Sequence, residues 1–129
     1  MFSGIGNDII EIERIKQALS RPGFRQRVFT EREIEEIGNK GDKTESYAGK
    51  FAAKEAVAKA FGTGVRGFDL RDIEVLGDEL GKPVVHLGGN LAEKYMNHKI
   101  ELSISHCKEY AAAVAILFQR REENDAAVL

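Results

Sequence analysis

The stretch FAAKEAVAKAFGTG, residues 51–64, constrains this chain more than any other. From 50 to 62 the residues are mostly strong helix formers, five of them alanine, with no proline and Val57 as the single β-branched member. That composition predicts a helix, and Gly62 supplies its stop. Phe51, Ala52, Ala56, Val57, Ala60 and Phe61 recur at helical spacing and predict one apolar face. Glu55 and Lys59, one turn apart, share another. As an exposed pair they would add only about 0.2–0.5 kcal/mol to the helix. Their other reading is a phosphate site, with a carboxylate for a metal and an ammonium for an anion. The rest of the chain has to separate the two.

With 129 residues and 43% hydrophobic composition, the chain suffices for one core and is too short for two comfortable ones. A single domain over 1–129 is expected. The net charge of −2, from 19 basic and 21 acidic side chains, argues against a general nucleic-acid binder, which is usually strongly basic. The longest apolar run, 110–118, is roughly half of what a membrane-spanning helix needs. The beginning MFSGIGND has neither a basic n-region nor an apolar h-region. A cytoplasmic location away from membranes is the expectation. The lone Cys107 can form no internal disulfide and lacks zinc-spaced partners, so stability has to come from packing or self-association.

Residues 2–10 read as a strand, with Gly4 and Gly6 where another backbone or a ligand can come close. Asp8 sits among Ile5, Ile9 and Ile10. An acid there is costly unless paired or metal-bound, or else it caps the following helix; both readings stand at this point. Ile12, Ile15 and Leu19 mark an amphipathic helix, ended by SRPG at 20–23. Lys16 to Thr30 contains no acid, yet holds Lys16, Arg21, Arg25 and Arg27, with Arg14 just upstream and Phe24, Val28 and Phe29 interleaved. That basic surface is either a solvated face or a dock for an acidic partner. Thr30 with Glu33 forms a capping box for a short helix to Ile37. After a loop at 38–43, Thr44 or Asp42 should cap the central helix.

Beyond the GTG turn, 72–75 and 83–87 predict a hairpin of two strands. Asn90 with Glu93 repeats the capping pattern for a helix over 91–96. Ile100, Leu102 and Ile104 alternate with Glu101, Ser103 and Ser105, the period of a half-buried strand, and His106 stands at its end. The run 110–118 pairs naturally with it, although its alanines leave a buried helix possible; 119–129 reads as a frayed polar tail. The order of elements predicts an α+β fold, an antiparallel sheet packed against a long central helix and shorter helices.

GNDIIEIERI, FAAKEAVAKAFGTG and LSISHCKEYAAA occur in that order within the chain. Together they make it resemble the small bacterial holo-acyl-carrier-protein synthases, a group of 4′-phosphopantetheinyl transferases, over 1–118. The resemblance implies transfer of the phosphopantetheine arm from coenzyme A to a serine of apo-acyl carrier protein, releasing adenosine 3′,5′-bisphosphate, as a step of fatty acid biosynthesis. It implies Mg²⁺ held by Asp8 and Glu55, in keeping with the habit of this ion to take one or two carboxylates plus phosphates and waters. Lys59 matches the lysine on the pyrophosphate. Glu55 is the implied acceptor of the serine proton, with Asp8 through a water as the rival. Gly62, Thr63 and Gly64 resemble the turn along coenzyme A, where N–H groups approach phosphate oxygens. Ser103, Ser105 and His106 match an SxSH element near the phosphates and nucleotide, and Lys82 and Pro83 the adenine side.

By the same resemblance Arg14, Arg21, Arg25 and Arg27 become the docking surface for an acidic carrier protein, and the enzyme is a homotrimer with its active site between subunits. Lys50 stands where relatives can carry Arg, giving up bidentate contact with the 3′-phosphate, and Cys107 where a hydroxyl is common. A Cys107–His106 nucleophilic pair is disfavoured because adjacent strand residues point to opposite faces. Two further functions fit subsets of these residues: a docking module for the carrier without catalysis, and a Mg²⁺-dependent nucleotide phosphohydrolase.

Overall fold

In the computed structural model, which describes residues 1–62 and 67–120, the chain opens with the strand β1 (Phe2–Glu11) and passes at once into α1 (Ile12–Leu19). A short helix α2 (Phe24–Val28) follows, entered through Gly23 at φ 84°. Its five residues are too few to show a helical period, and the sequence pattern does not predict it. The Thr30–Glu33 capping box is present in both directions and starts α3 (Glu31–Asn39), the predicted helix carried two residues past Ile37. The central helix α4 spans Thr44–Ala60. Its capping is a correction: Lys43 is the N-cap, with no side-chain bond. Thr44 is already helical, while Asp42 sits at φ 51° and accepts a bond from the Tyr47 hydroxyl at 3.0 Å.

After a 3₁₀ turn, Leu70–Asp72, come β2 (Ile73–Gly77) and β3 (Pro83–Leu87). The predicted hairpin is there, but Asp72 closes the 3₁₀ turn through a reciprocal bond with Asp69 and does not begin the strand. Next is α5 (Gly89–Lys94), capped by Gly88 without a side-chain bond, so Asn90 lies inside the helix and caps nothing. The last strands are β4 (His98–His106) and β5 (Tyr110–Gln119). Gln119 is still strand; of the predicted tail, residues 121–129 lie outside the described ones.

The fold is α+β with antiparallel pairing throughout: a three-stranded sheet ordered β1–β5–β4 and a two-stranded sheet β2–β3. The open choice over 110–118 resolves to a strand, central in its sheet. Its alternate residues Ala111, Ala113, Ala115 and Leu117 are buried, and α4 lies across them. Gly4 and Gly6 make the contact tighter. A Cβ at Gly4 would stand 2.2 Å from the carbonyl oxygen of Ala60, and one at Gly6 2.0 Å from that of Ala56. What the two glycines admit is therefore the helix backbone.

The single apolar face expected for α4 is also corrected. Tyr47, Ala48, Ala52, Ala53, Ala56, Val57 and Ala58 are at most 1% exposed, which places the helix in the interior on most sides, with Glu55 half-buried and Lys59 exposed on the remaining one. One core cluster joins α4 to Ile73, Val75, Leu91, Leu102 and Leu117. The other joins its first turns to Ile15, Val28, Phe29 and Ile37, with Phe29 and Tyr47 edge to face at 5.1 Å. Full burial of side chains of this size stabilises the fold by about 1.5–3 kcal/mol each.

Candidate active site

Residues 4, 6 and 8 of a strand share one face. Since Gly4 and Gly6 press β1 onto α4, the next side chain on that face, Asp8, is delivered to the helix. Its Oδ1 is 3.0 Å from Lys59 Nζ, and the same ammonium donates to the Asn7 carbonyl at 3.0 Å. The Asp8 side chain is 15% exposed. Asp8 precedes α1 by several residues and the cap of that helix is Glu11, which disposes of the capping alternative.

Glu55, one turn before Lys59, is half-buried, and its pKa is raised. Burial is the main cause and the charge of Asp8 the second, while Lys59 partly offsets both. Two carboxylates thus face one ammonium, which leaves an excess negative charge among oxygen ligands. Such a donor set suits a hard divalent cation. Among the described residues no group of three or more His, Cys, Asp and Glu gathers to hold a metal. The protein's own contribution to a Mg²⁺ at this place would be Asp8 and Glu55, a pair that fits an ion completed by water and phosphate oxygens.

Gly62 takes φ 82°, and among the described residues nothing lies within 4 Å of a Cβ built on it; it ends α4. Thr63 and Gly64 lie outside the described residues. The remaining candidates gather elsewhere. Lys50, Pro83 and His106 line a cavity of about 280 Å³ together with Glu36 and Lys40. Lys50 is 8% exposed; its ammonium donates to Glu36 Oε1 at 3.0 Å and to the Val75 carbonyl. Burial opposes ionisation of Glu36, but the bonds from Lys50 and the Gly77 amide outweigh it, and its pKa is lowered.

Lys82 pairs with Glu101 at 3.3 Å and lines a neighbouring cavity of about 480 Å³, which Pro83 shares. Asp8 belongs to one edge strand of the three-stranded sheet and His106 to the other. The structure thus brings the candidates together as two groups on opposite edges. The SxSH element divides as well: His106 is on the α4 side with Leu102 and Ile104, whereas Ser103 and Ser105 are exposed on the outer face.

Arg14, Arg21 and Arg27 are exposed and form no ion pair among the described residues. Arg25 differs from them. Its guanidinium lies 5.1 Å from the centre of the Tyr47 ring and its Nε is buried without a hydrogen-bond partner. Sequence reasoning missed Glu33 and Lys54, both 0% exposed and 2.8 Å apart. Burial lowers the pKa of Lys54, with Glu33 opposing. The available signal was a lysine whose neighbours three and four positions along the helix include Phe51, Val57 and Ala58.

Known proteins resemble the chain over most of its length. The profile of the 4′-phosphopantetheinyl transferase superfamily matches residues 4–115. A holo-[acyl-carrier-protein] synthase of Fusobacterium nucleatum is 54% identical over 121 residues, covering 91% of this chain and 99% of its own. One from Clostridium novyi is 53% identical over 121 residues, covering 91% and 88%. Among solved structures, the holo-(acyl-carrier-protein) synthase of Bacillus anthracis in complex with CoA (3′,5′-ADP) superposes with a TM-score of 0.78 at 42% identity, covering 94% of this chain and 99% of that one. The Neisseria meningitidis synthase gives 0.82 at 34% identity, covering 92% and 100%.

Proposed function

Because the chain belongs to the 4′-phosphopantetheinyl transferase superfamily, we propose that it is a holo-acyl-carrier-protein synthase whose reactive centre is Asp8, Glu55 and Lys59. In the reaction the hydroxyl oxygen of a carrier serine bonds to the phosphorus that bears the pantetheine arm. The bond from that phosphorus to the bridging oxygen breaks, and adenosine 3′,5′-bisphosphate leaves. The observation that carries this reading is the contact of Lys59 with Asp8 at 3.0 Å beside a Glu55 whose pKa is raised.

Each side chain has a task set by its surroundings. Lys59 is held by Asp8 and by the Asn7 carbonyl, so its charge is already in place for pyrophosphate oxygens, and phosphoryl transfer depends mostly on such positioning. Glu55 takes the serine proton, a role served by a carboxylate pushed toward the working pH; Asp8 through a water is the rival assignment. Asp8 and Glu55 are also the residues that would hold Mg²⁺. When bound, Mg²⁺ supplies charge stabilisation to the phosphates. Gly62, with Thr63 and Gly64 after it, serves coenzyme A.

Lys50, Lys82, Pro83, Ser105 and His106 serve the nucleotide and its phosphates from the other edge of the sheet. Their separation from Asp8 within one chain supports a homotrimer in which the two edges meet between subunits. So does the outer face of the sheet, where Ile5 is 59% exposed, Ile9 67% and Val114 37%, an apolar surface of the kind that marks an interface. The exposed Arg14, Arg21 and Arg27, with Arg25 anchored on Tyr47, form the dock for an acidic carrier, and 1–129 acts as one domain in the cytoplasm. No helix among the described residues is long and apolar enough to cross a membrane.

Incubation with coenzyme A, Mg²⁺ and apo-carrier protein should raise the mass of the carrier by one phosphopantetheine arm. An unmodified carrier with intact coenzyme A would leave only a docking role. An unmodified carrier with cleaved coenzyme A would make the protein a hydrolase.

A further inference from the structure

The second edge of β2 is completed by side chains. The Ile73 carbonyl accepts from Lys54 Nζ at 2.6 Å, and the Val75 amide donates to Glu33 Oε2 at 2.8 Å. The Val75 carbonyl accepts from Lys50, and the Gly77 amide donates to Glu36 at 3.0 Å. Lysines of α4 thus meet the carbonyls and glutamates of α3 the amides, in strict alternation along the strand. The two lysines are joined to the two glutamates in turn, Lys54 to Glu33 at 2.8 Å and Lys50 to Glu36 at 3.0 Å. The inner pair is fully buried and tied down further: Lys54 also donates to the Leu70 carbonyl at 3.0 Å, and Glu33 Oε1 accepts from the Thr30 amide at 2.8 Å.

This clamp has a bearing on Glu55 because of the composition of α4. A helix fixes its rotation by the shapes it buries, and six of the eleven buried residues of α4 are alanines, with Tyr47 and Val57 the larger apolar side chains among the rest. Between those two, a turn of about 100°, one residue's worth, changes little of the apolar shape presented. Apolar packing therefore specifies the rotation poorly. A buried ion pair specifies it well, since any other rotation leaves charges and carbonyls without partners. Lys50 and Lys54 make one stripe along α4, while Glu55 and Lys59 make another, offset by one residue. Fixing the first stripe on β2 aims the second at β1 and Asp8.

We propose that the Glu33–Lys54 pair, flanked by Glu36–Lys50, is a positioning element that sets the rotation of α4 and so holds Glu55 and Lys59 against Asp8. The inference rests on the catalytic reading of those three residues. Glu33 and Lys54 are both fully buried and act through the helix.

The decisive variants are Lys54→Met and Glu33→Gln. Lys54→Met strands a buried carboxylate and is prone to unfold; Glu33→Gln keeps an oxygen for the Val75 amide while removing the charge. The comparison variant is Leu91→Ala, a buried truncation on α5 in the same core that removes none of the clamp's hydrogen bonds or ion pairs. In folded Glu33→Gln, kcat for transfer should fall on the order of 10- to 100-fold, as misplacement of catalytic groups does, with the KM for carrier protein unchanged. Leu91→Ala should lose thermal stability and keep its kcat. If folded Glu33→Gln retains kcat within about twofold of Leu91→Ala, the pair only stabilises the fold and the proposal is overturned. Wild-type protein in the same assay reports separately on the catalytic reading: no transfer by wild type would refute that reading, whatever the variants do.

Discussion

Glu55 carries opposite demands. Burial and the neighbouring Asp8 raise its pKa above the ordinary 4.5, with Lys59 only partly opposing, so in the metal-free protein the ionised form is the strained one. Linkage gives the sign. Below 4.5 the group is protonated in folded and unfolded chains alike, and its contribution to stability is fully present. As pH rises through the raised folded value, the carboxylate must ionise where it is disfavoured, and that contribution is lost. A glutamine cannot ionise. Thermal midpoints of Glu55→Gln and wild type, measured with chelator at about pH 4 and about pH 8, should therefore diverge in favour of the variant at the higher pH. An identical difference at both values would mean that Glu55 feels neither burial nor Asp8.

Among the elements, the approach of β1 to α4 decides whether there is a site at all. A Cβ at Gly6 would stand 2.0 Å from a helix carbonyl, whereas at Gly38 in α3 nothing lies within 4 Å. Gly6→Ala should cost about 1–3 kcal/mol or more, as overpacking does, and should displace Asp8 from Lys59. Gly38→Ala should gain up to ~1 kcal/mol from helix propensity. Urea midpoints compare the two, and a Gly6→Ala chain as stable as wild type would remove the close packing from the account. Much of this level could be read in the sequence, because α1 announces itself by its period, α3 by its capping box, and β1 and α4 by their composition. What could not be read is long-range. Thr30–Glu33 is legible as a capping box, but nothing local says that Glu33 also reaches Val75, 42 positions on. The alanines of β5 blurred strand with helix because they are chosen for the helix lying across them. Asp8 could be read either way until the glycines before it were seen to admit α4.

For the whole molecule, the proposed site residues fall into two groups, Asp8, Glu55 and Lys59 beside β1 at one edge of the three-stranded sheet and Lys50, Pro83 and His106 around the cavity beside β4 at the other. The sequence supplied both sets of residues, by resemblance, and no means of telling that they stand apart. Period-two alternation did foretell a half-buried strand with Ser103 and Ser105 on one face. An exposed apolar face lies between the edges, which is where self-association would bring one chain's reactive centre to another's nucleotide side. Through all of this the claim that matters most is that Glu55 performs chemistry and is not one half of a surface ion pair. The direct measurement is the rate of phosphopantetheine addition to apo-carrier protein, followed by intact mass, for wild type and Glu55→Gln at saturating coenzyme A and Mg²⁺. Loss of a proton acceptor predicts a fall on the order of 10²- to 10⁴-fold in a variant that remains folded; a rate within a few-fold of wild type would contradict the account.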